Sequence, residues 1–229
     1  MTNIAILPAR LGSKRIKEKN IKNFYSKPMI QWTYEILKKT KIFSHIYVST
    51  ESNKIIRVCK KIGIKSFIHR PKKLSGDNIG IREVMDHAVK YLENKIKFKN
   101  TCCVFPCSPF LRVRNLKKAL IYLKNKKNCV VHPVLKFRHP PERSLTMDKN
   151  NFIRVVNQKN MTLMTQSFTT KYHDLGQFYF SHKSLWSKKP YRIRRIGIEL
   201  PIWDTVDLDN LEDWEFARLL FKLRKKKEF

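Results

Sequence analysis

The chain has 229 residues, 42% of them hydrophobic and 11% aromatic, so it can enclose a core and is not a disordered segment. Its 49 Lys and Arg against 18 Asp and Glu give a formal net charge of +31. The lysines are spread over every segment, and no helix-turn-helix, zinc-finger or ribonucleoprotein motif accompanies them. We therefore expect an anionic substrate and a solvated basic surface, with no specific nucleic-acid partner. A basic nucleic-acid-binding module is the alternative from a different class.

The five cysteines indicate reduced thiols in a cytoplasmic protein. Cys102, Cys103 and Cys107 cluster on one predicted strand and its exit, but neither Cys59 nor Cys129 supplies the second pair of ligands that zinc requires. No signal-peptide pattern is visible, and no apolar run approaches the ~20 residues of a membrane span. We expect no membrane partner.

The order of predicted elements indicates an α/β fold. The chain begins with an apolar, β-branched strand at 3–7, and strands follow at 46–49 and 66–68. A helix that begins at Pro28 and another capped by Ser52 separate these strands. Such alternation predicts a mostly parallel sheet flanked by helices, in a single domain over 1–229. Further predicted elements are a helix over 81–92, strands at 101–105, 129–134 and 196–200, and a helix that begins at Leu211.

One stretch breaks this alternation. From about 137 to 170 the apolar pattern loosens, with Pro140 and Pro141 and short alternating segments such as 152–156. Short strands of this kind need a partner surface. We interpret the stretch as a small excursion from the sheet and not as a second core.

A basic loop follows the first strand directly, over Pro8–Arg15. Ligands of open α/β sheets bind where loops leave the carboxyl ends of the strands. Gly12 and Ser13 in this loop suit close approach to a polyphosphate, and its cations supply charge-assisted hydrogen bonds. The spacing is not that of a Walker A loop. A solvated basic turn is the alternative, and spacing alone leaves both open.

Acidic residues are scarce, yet Asp204, Asp207 and Asp209 fall within six positions. Asp207 and Asp209 are two residues apart, so on an extended segment both carboxylates point to the same side. Mg²⁺ takes such oxygens and keeps waters and substrate phosphates as its other ligands. The alternative is that these acids merely serve the N-terminus of the helix that Asn210 would cap. Their combination with a basic phosphate loop favours the metal.

Four motifs in chain order resemble those of the CMP-sugar synthetases, the cytidylyltransferases that load sialic acids and related sugar acids onto CTP. They are the run 6–15 continued by 19–21, the Arg-Pro pair at 70–71, the run 106–112, and the Asp-x-Asp at 207–209. The resemblance implies a Rossmann-like nucleotide-diphospho-sugar transferase fold and Mg²⁺-dependent transfer of CMP from CTP to a sugar acid. It also implies a homodimer, in which the excursion at 137–170 is the dimerisation arm.

The resemblance assigns roles residue by residue. Nucleotide binding falls to Arg10, Ser13, Lys14, Lys19, Asn20, Arg70 and Asp77, with Arg10 and Lys14 also offsetting charge on the reacting phosphates. Contacts with the sugar acid fall to Ser108 and Arg112, and the metal to Asp207 and Asp209. Leu11 and Cys107 depart from the family pattern, which has glycine or a small polar residue and threonine there. No residue stands out as a general base.

One segment bears on the sugar. The run 172–180 is similar to the version found in the pseudaminic acid branch of the family, as is the ending 206–215. Gln177 offers an amide donor and acceptor to acylamino groups, and the Tyr179 ring offers a packing surface. Pseudaminic acid is therefore the expected substrate. The alternatives are an N-acylneuraminate (sialic acid) cytidylyltransferase and a transferase of the same fold that uses another nucleoside triphosphate.

Overall fold

The computed structural model describes residues 2–126, 128–189 and 192–226, with the backbone alone at 225 and 226. The helices of this part of the chain are α1 (Met29–Thr40), α2 (Asn53–Lys61), α3 (Ile81–Glu93), α4 (Val113–Asn125), α5 (Gln158–Met161) and α6 (Leu211–Lys226). Its strands are β1 (Asn3–Pro8), β2 (Asn23–Phe24), β3 (Lys27–Pro28), β4 (His45–Thr50), β5 (Phe67–His69), β6 (Asn100–Val104), β7 (Cys129–Lys136), β8 (Leu145–Met147), β9 (Ile153–Val155), β10 (Tyr172–Asp174), β11 (Phe178–His182) and β12 (Arg194–Glu199).

The central sheet confirms the predicted α/β class. Strands β5, β4, β1 and β6 are neighbours in that order and all parallel. Strand β11 runs antiparallel between β6 and β7, and β12 pairs with β7 in parallel. The predicted strands lie within one or two residues of the observed ones. The first helix begins at Met29, one residue later than predicted, because Pro28 ends the short strand β3.

Side-chain alternation along β1 divides the core between the two faces of the sheet. Ala5 and Leu7 face the layer of α1, α2 and α4, whereas Ile4 and Ile6 face α3. A third apolar cluster forms where Trp214 and Phe221 of α6 pack edge-on against Phe24. This cluster holds the segment before α6 beside the carboxyl end of the sheet.

The junction between β10 and β11 is a bulge that no sequence pattern indicates. Both strands run antiparallel to β7: Asp174 is opposite Val134, and Phe180 is opposite Val131. The partners on β7 are three residues apart while 174 and 180 are six apart, so three extra residues leave the ladder between them. Gly176 makes the bend with a φ of +56°, which favours glycine. The bulge 175–177 therefore projects from the sheet.

The excursion lies between β7 and β10. Its hairpin, β8 with β9, forms a separate two-stranded sheet. Met147, Phe152 and Ile153 on and beside this hairpin are each more than 60% exposed. A two-stranded hairpin with an apolar exposed face is marginally stable by itself, so this face has the character of an interface.

Two further predictions concern the state of the cysteines and the presence of membrane-spanning helices. All five cysteines are free thiols, as predicted, and four of them are buried. Burial raises the pKa of Cys59 to about 12, so this thiol keeps its proton. Within the described ranges, no helix combines the length and the apolar character that crossing a membrane requires.

Candidate active site

A cavity of about 320 Å³ opens at the carboxyl ends of β1, β5 and β6. Ligands of open α/β sheets bind at this edge. The residues that line the cavity include eleven of the thirteen predicted site residues: Arg10, Ser13, Lys14, Lys19, Asn20, Arg70, Asp77, Ser108, Gln177, Asp207 and Asp209. Two predicted residues, Arg112 and Tyr179, are not part of its wall.

The basic loop after β1 is held by hydrogen bonds to its backbone. The Asn20 side chain donates to the Arg10 carbonyl over 2.8 Å, and the Leu11 N–H donates to the Glu51 carboxylate over 2.8 Å. Gly12 is exposed, and a Cβ built on it would meet no described protein atom within 4 Å. These contacts anchor the loop at Arg10 and Leu11, and its cations Arg10, Lys14 and Arg15 line the cavity.

Asp77 lines the cavity but contacts the loop cations. Its carboxylate accepts from Arg10 over 2.6 Å and lies 2.7 Å from Lys14 Nζ. These two cations, Lys14 first, lower the pKa of Asp77. An anion in this position repels a triphosphate and shares its binding groups. Asp77 would therefore compete with the phosphates for Arg10 and Lys14, and its own contact with the nucleotide stays a prediction.

Asp77→Asn is expected to tighten binding of CTP and of pyrophosphate in the absence of metal. Because the contacts are solvent-exposed, the gain is about two- to fivefold. Calorimetric titration measures it, with Asp86→Asn, which loses a surface pair with Lys90, as the matched control. Weaker binding by the Asp77 variant would restore the original prediction that Asp77 itself contacts the nucleotide.

Arg70 enters the cavity wall from the end of β5 and is only 3% exposed. One terminal nitrogen donates to the Glu51 carboxylate over 2.8 Å. Its Nε is buried without a hydrogen-bond partner among the described residues. A buried donor without a partner is costly, so this N–H suits an acceptor on a ligand.

Asp207 and Asp209 both line the cavity, and Leu208 between them is buried. Arg15 donates to Asp209 over 3.0 Å, and Lys19 donates to the Leu208 carbonyl. Asp207 is exposed as a residue, but partial desolvation of its carboxylate first, and then the charge of Asp209, raise its pKa. A divalent cation between two such carboxylates would offset their repulsion, so the donor set suits Mg²⁺.

The helix after these aspartates is capped by other residues. The Asn210 side chain accepts from the Asp213 N–H over 2.9 Å, and the Asp213 carboxylate accepts from the Asn210 N–H over 2.9 Å. This reciprocal pair is a capping box. Asn210 is thus the helix cap, as predicted, and the helix does not need the carboxylates of Asp207 and Asp209 for that purpose.

Arg112 is not placed for the predicted contact with the substrate carboxylate. Its guanidinium donates to Asp204 over 2.6 Å, and Arg114 donates to the second oxygen of the same carboxylate over 3.1 Å. Asp204 is fully buried, so its charge needs partners inside the protein. Arg112 precedes α4 and forms a structural ion pair there, and its contact with the sugar acid stays a prediction.

Tyr179 also lies outside the cavity wall. Its hydroxyl donates to Asp174 over 2.8 Å, and its ring stacks on His132 with centroids 5.5 Å apart. Burial alone would raise the pKa of Asp174, but His132, the Gly176 N–H and Tyr179 outweigh it and bring that pKa to about 2. Tyr179 and Asp174 thus support the bulge 175–177, and packing of the Tyr179 ring on the sugar stays a prediction.

Gln177, at the end of this bulge, is oriented by a backbone contact. Its Nε2 donates to the Asp204 carbonyl over 2.7 Å, and a carbonyl can only accept, so the amide has one orientation. Gln177 is 4% exposed, and its Oε1 is buried without a hydrogen-bond partner among the described residues. The side chain therefore retains an acceptor that suits an N–H group on a ligand.

Sequence reasoning missed two residues that organise the site. The Cys107 thiol donates to the side-chain amide oxygen (Oδ1) of Asn20 over 3.2 Å, although no role was expected for it. Burial raises the pKa of Cys107 to about 12, so its proton is retained for this bond. Glu51 binds both the basic loop and Arg70. The sequence feature that could have identified Glu51 is its position directly after a strand, in a chain with few acidic residues.

Comparison with known proteins identifies the family. A family model described as cytidylyltransferase matches residues 4–227, nearly the whole chain. This chain belongs to the cytidylyltransferase family. The family predicted from the motifs is confirmed, and with it the assignment as a nucleotidyltransferase enzyme.

Relatives of this cytidylyltransferase span its full length. It is 30% identical over 232 aligned positions to the pseudaminic acid cytidylyltransferase of Campylobacter jejuni, covering 100% of both chains. It is 24% identical to the N-acylneuraminate cytidylyltransferase of Escherichia coli, over 93% of this chain and 51% of that one. The solved CMP:2-keto-3-deoxy-manno-octonic acid synthetase, a complex with CTP, superimposes with a TM-score of 0.71 at 15% identity, covering 98% and 100% of the two chains. That likeness confirms the fold.

Proposed function

We propose that this cytidylyltransferase transfers CMP from CTP to pseudaminic acid in a Mg²⁺-dependent reaction. The observation that carries the proposal is one cavity walled by a cationic loop, by two neighbouring carboxylates and by the bulge with Gln177. The first two features suit a metal–triphosphate and the third suits an acylamino sugar. Full-length similarity to proteins named for this activity supports the choice of substrates.

The reaction joins a hydroxyl oxygen of the sugar acid to the α-phosphorus of CTP. The bond from that phosphorus to the β-phosphate bridging oxygen breaks, pyrophosphate leaves with the electron pair, and the hydroxyl proton passes to solvent or base. Arg10 and Lys14 would offset the charge that develops on the phosphates, and Arg70 would donate to the nucleotide through Nε. Positioning and electrostatics account for most catalysis in phosphoryl-type transfers.

Asp207 and Asp209 would hold Mg²⁺ with substrate phosphate oxygens. The bound ion would supply charge neutralisation on the triphosphate. Among the described residues, no group of three or more His, Cys, Asp or Glu side chains is arranged around a metal position. Two carboxylates suffice, because Mg²⁺ is usually bound by one or two carboxylates together with waters and phosphates. Asn20 and Lys19, which also line the cavity, would hold the nucleotide.

The sugar acid would lie at Ser108 and Gln177. Ser108 is buried in the loop after β6, whose backbone is fixed by Thr33. The Oε1 of Gln177 would accept from an acylamino N–H. A site with buried polar groups discriminates strongly against an analogue that leaves them unpaired. Gln177 is therefore the residue that we expect to select the sugar.

Gln177→Ala is expected to raise KM for pseudaminate about tenfold, because one hydrogen bond in a desolvated site is lost. The dissociation constant for CTP should change less than about twofold. Steady-state kinetics and calorimetry separate the two quantities. His182→Ala, at the far end of the same strand, is the matched control. An equal increase in KM for pseudaminate and in the dissociation constant for CTP would contradict the placement of Gln177 in the sugar site.

We also propose that the active form is a homodimer in the cytoplasm. The exposed apolar face of the β8–β9 hairpin suits a second copy of this chain as its partner. The free thiols suit a reducing compartment. Sedimentation equilibrium tests the assembly, since a monomer mass at micromolar concentration would contradict it.

A further inference from the structure

We propose that Glu51 is a positioning residue for the nucleotide half of the site, holding the basic loop, Arg70 and the Ser75 turn in one arrangement. The inference rests on the proposed binding of CTP at this cavity. Glu51 itself does not form the cavity wall, so it would act entirely through the groups it binds. It is therefore distinct from the residues proposed to contact CTP.

The carboxylate of Glu51 joins three separate segments. Its Oε1 accepts from the Leu11 N–H over 2.8 Å. Its Oε2 accepts from Arg70 over 2.8 Å and from the Ser75 hydroxyl over 3.2 Å. These partners lie 40, 19 and 24 residues from it along the chain. One side chain at the end of β4 thus connects the loop after β1, the residue after β5 and the turn that follows.

Only a carboxylate satisfies all three donors. A glutamine in the same place has one acceptor oxygen, so its amide nitrogen would face either the Leu11 N–H or Arg70, which are both donors. Arg70 is also buried and needs a negative charge next to it. Burial would raise the pKa of Glu51, but Arg70 and the Leu11 N–H outweigh burial and lower it, so the group stays ionised.

The contacts determine where the binding groups lie. Leu11 follows Arg10 directly, so its anchored N–H sets the direction of the loop that carries the cations. The bond to Glu51 occupies one terminal nitrogen of Arg70 and leaves Nε for a ligand. Ser75 is two residues before Asp77, which contacts Arg10 and Lys14. Glu51 therefore holds the basic loop and the segment from Arg70 to Asp77 in one arrangement relative to each other.

Glu51→Gln tests the proposal, with Glu35→Gln as the matched control. Glu35 is a partly exposed carboxylate on α1 with charge-assisted bonds to Lys27 and lies outside the cavity wall. Glu51→Gln should raise the dissociation constant for CTP at least about tenfold while KM for the sugar acid stays within about twofold. Glu35→Gln should leave both quantities unchanged.

A second, milder variant keeps the test decisive if Glu51→Gln folds poorly. Ser75→Ala removes one neutral donor and should weaken CTP binding about two- to threefold with an unchanged urea midpoint. Unchanged CTP affinity in the Glu51 and Ser75 variants would overturn the positioning role. So would an equal increase in the dissociation constant for CTP and in KM for the sugar acid. CTP binding is measured without a sugar, so wild-type protein that binds CTP but does not use pseudaminate would contradict the proposed substrate alone.

Discussion

Asp209→Asn is expected to leave a folded protein with at least a hundredfold lower turnover, a loss of ~2.7 kcal/mol in barrier terms. The neutral amide is a poorer ligand for Mg²⁺ and no longer helps to anchor the metal–triphosphate on this wall of the cavity. Asp207→Asn should behave similarly, since Asp207 shares the same wall. Turnover is measured as pyrophosphate release at saturating CTP over a range of Mg²⁺ concentrations.

Glu212→Gln is the matched control for these substitutions. It removes the same charge three residues after Asp209, from an exposed side chain on the first turn of α6. Its turnover should stay within about twofold of the wild type, since surface charges contribute little. Near-normal activity of Asp209→Asn at ordinary Mg²⁺ concentrations would contradict the metal assignment.

Asp204→Asn is expected to destabilise the protein by ~3–5 kcal/mol, because it leaves the guanidinium of Arg112, whose side chain is only 11% exposed, beside a neutral group. Asp204 is fully buried, and its main chain also orients Gln177. Urea unfolding should show a lower midpoint at an unchanged slope. Asp86→Asn, which breaks a surface pair on α3, should cost no more than ~0.5 kcal/mol. Equal midpoints for the two variants would contradict the structural role given to the Asp204 pair.

Local patterns were sufficient for the framework, for the basic loop and for the aspartate pair, whereas the resemblance to the family supplied most other residues of the cavity wall. The alternation of apolar strands and amphipathic helices predicts the parallel part of the sheet. In such a sheet the loop after β1 lies at the carboxyl end of the strands. The cations of that loop and the spacing of Asp207 and Asp209 need only local sequence. These residues therefore reach the cavity as predicted.

The surroundings of Arg112, Tyr179 and Glu51 depend on long-range contacts. Arg112 is held by Asp204, which lies 92 positions away, and nothing near either residue indicates their pairing. Gln177 and Tyr179 are two residues apart, so a regular strand would direct both toward the sugar. The bulge ends at Gln177, so that Tyr179 returns to the ladder opposite Cys103. Glu51 was missed for the same reason, because its three partners come from three segments.

The most direct test is pyrophosphate release by the wild-type protein with CTP, Mg²⁺ and a panel of sugar acids. The panel contains pseudaminate, N-acetylneuraminate and 3-deoxy-manno-octulosonate at matched concentrations. The account predicts a kcat/KM for pseudaminate at least about a hundredfold above the others, the discrimination expected of a desolvated hydrogen-bonding site. Equal or better use of N-acetylneuraminate would contradict the proposal and identify the chain as an N-acylneuraminate cytidylyltransferase.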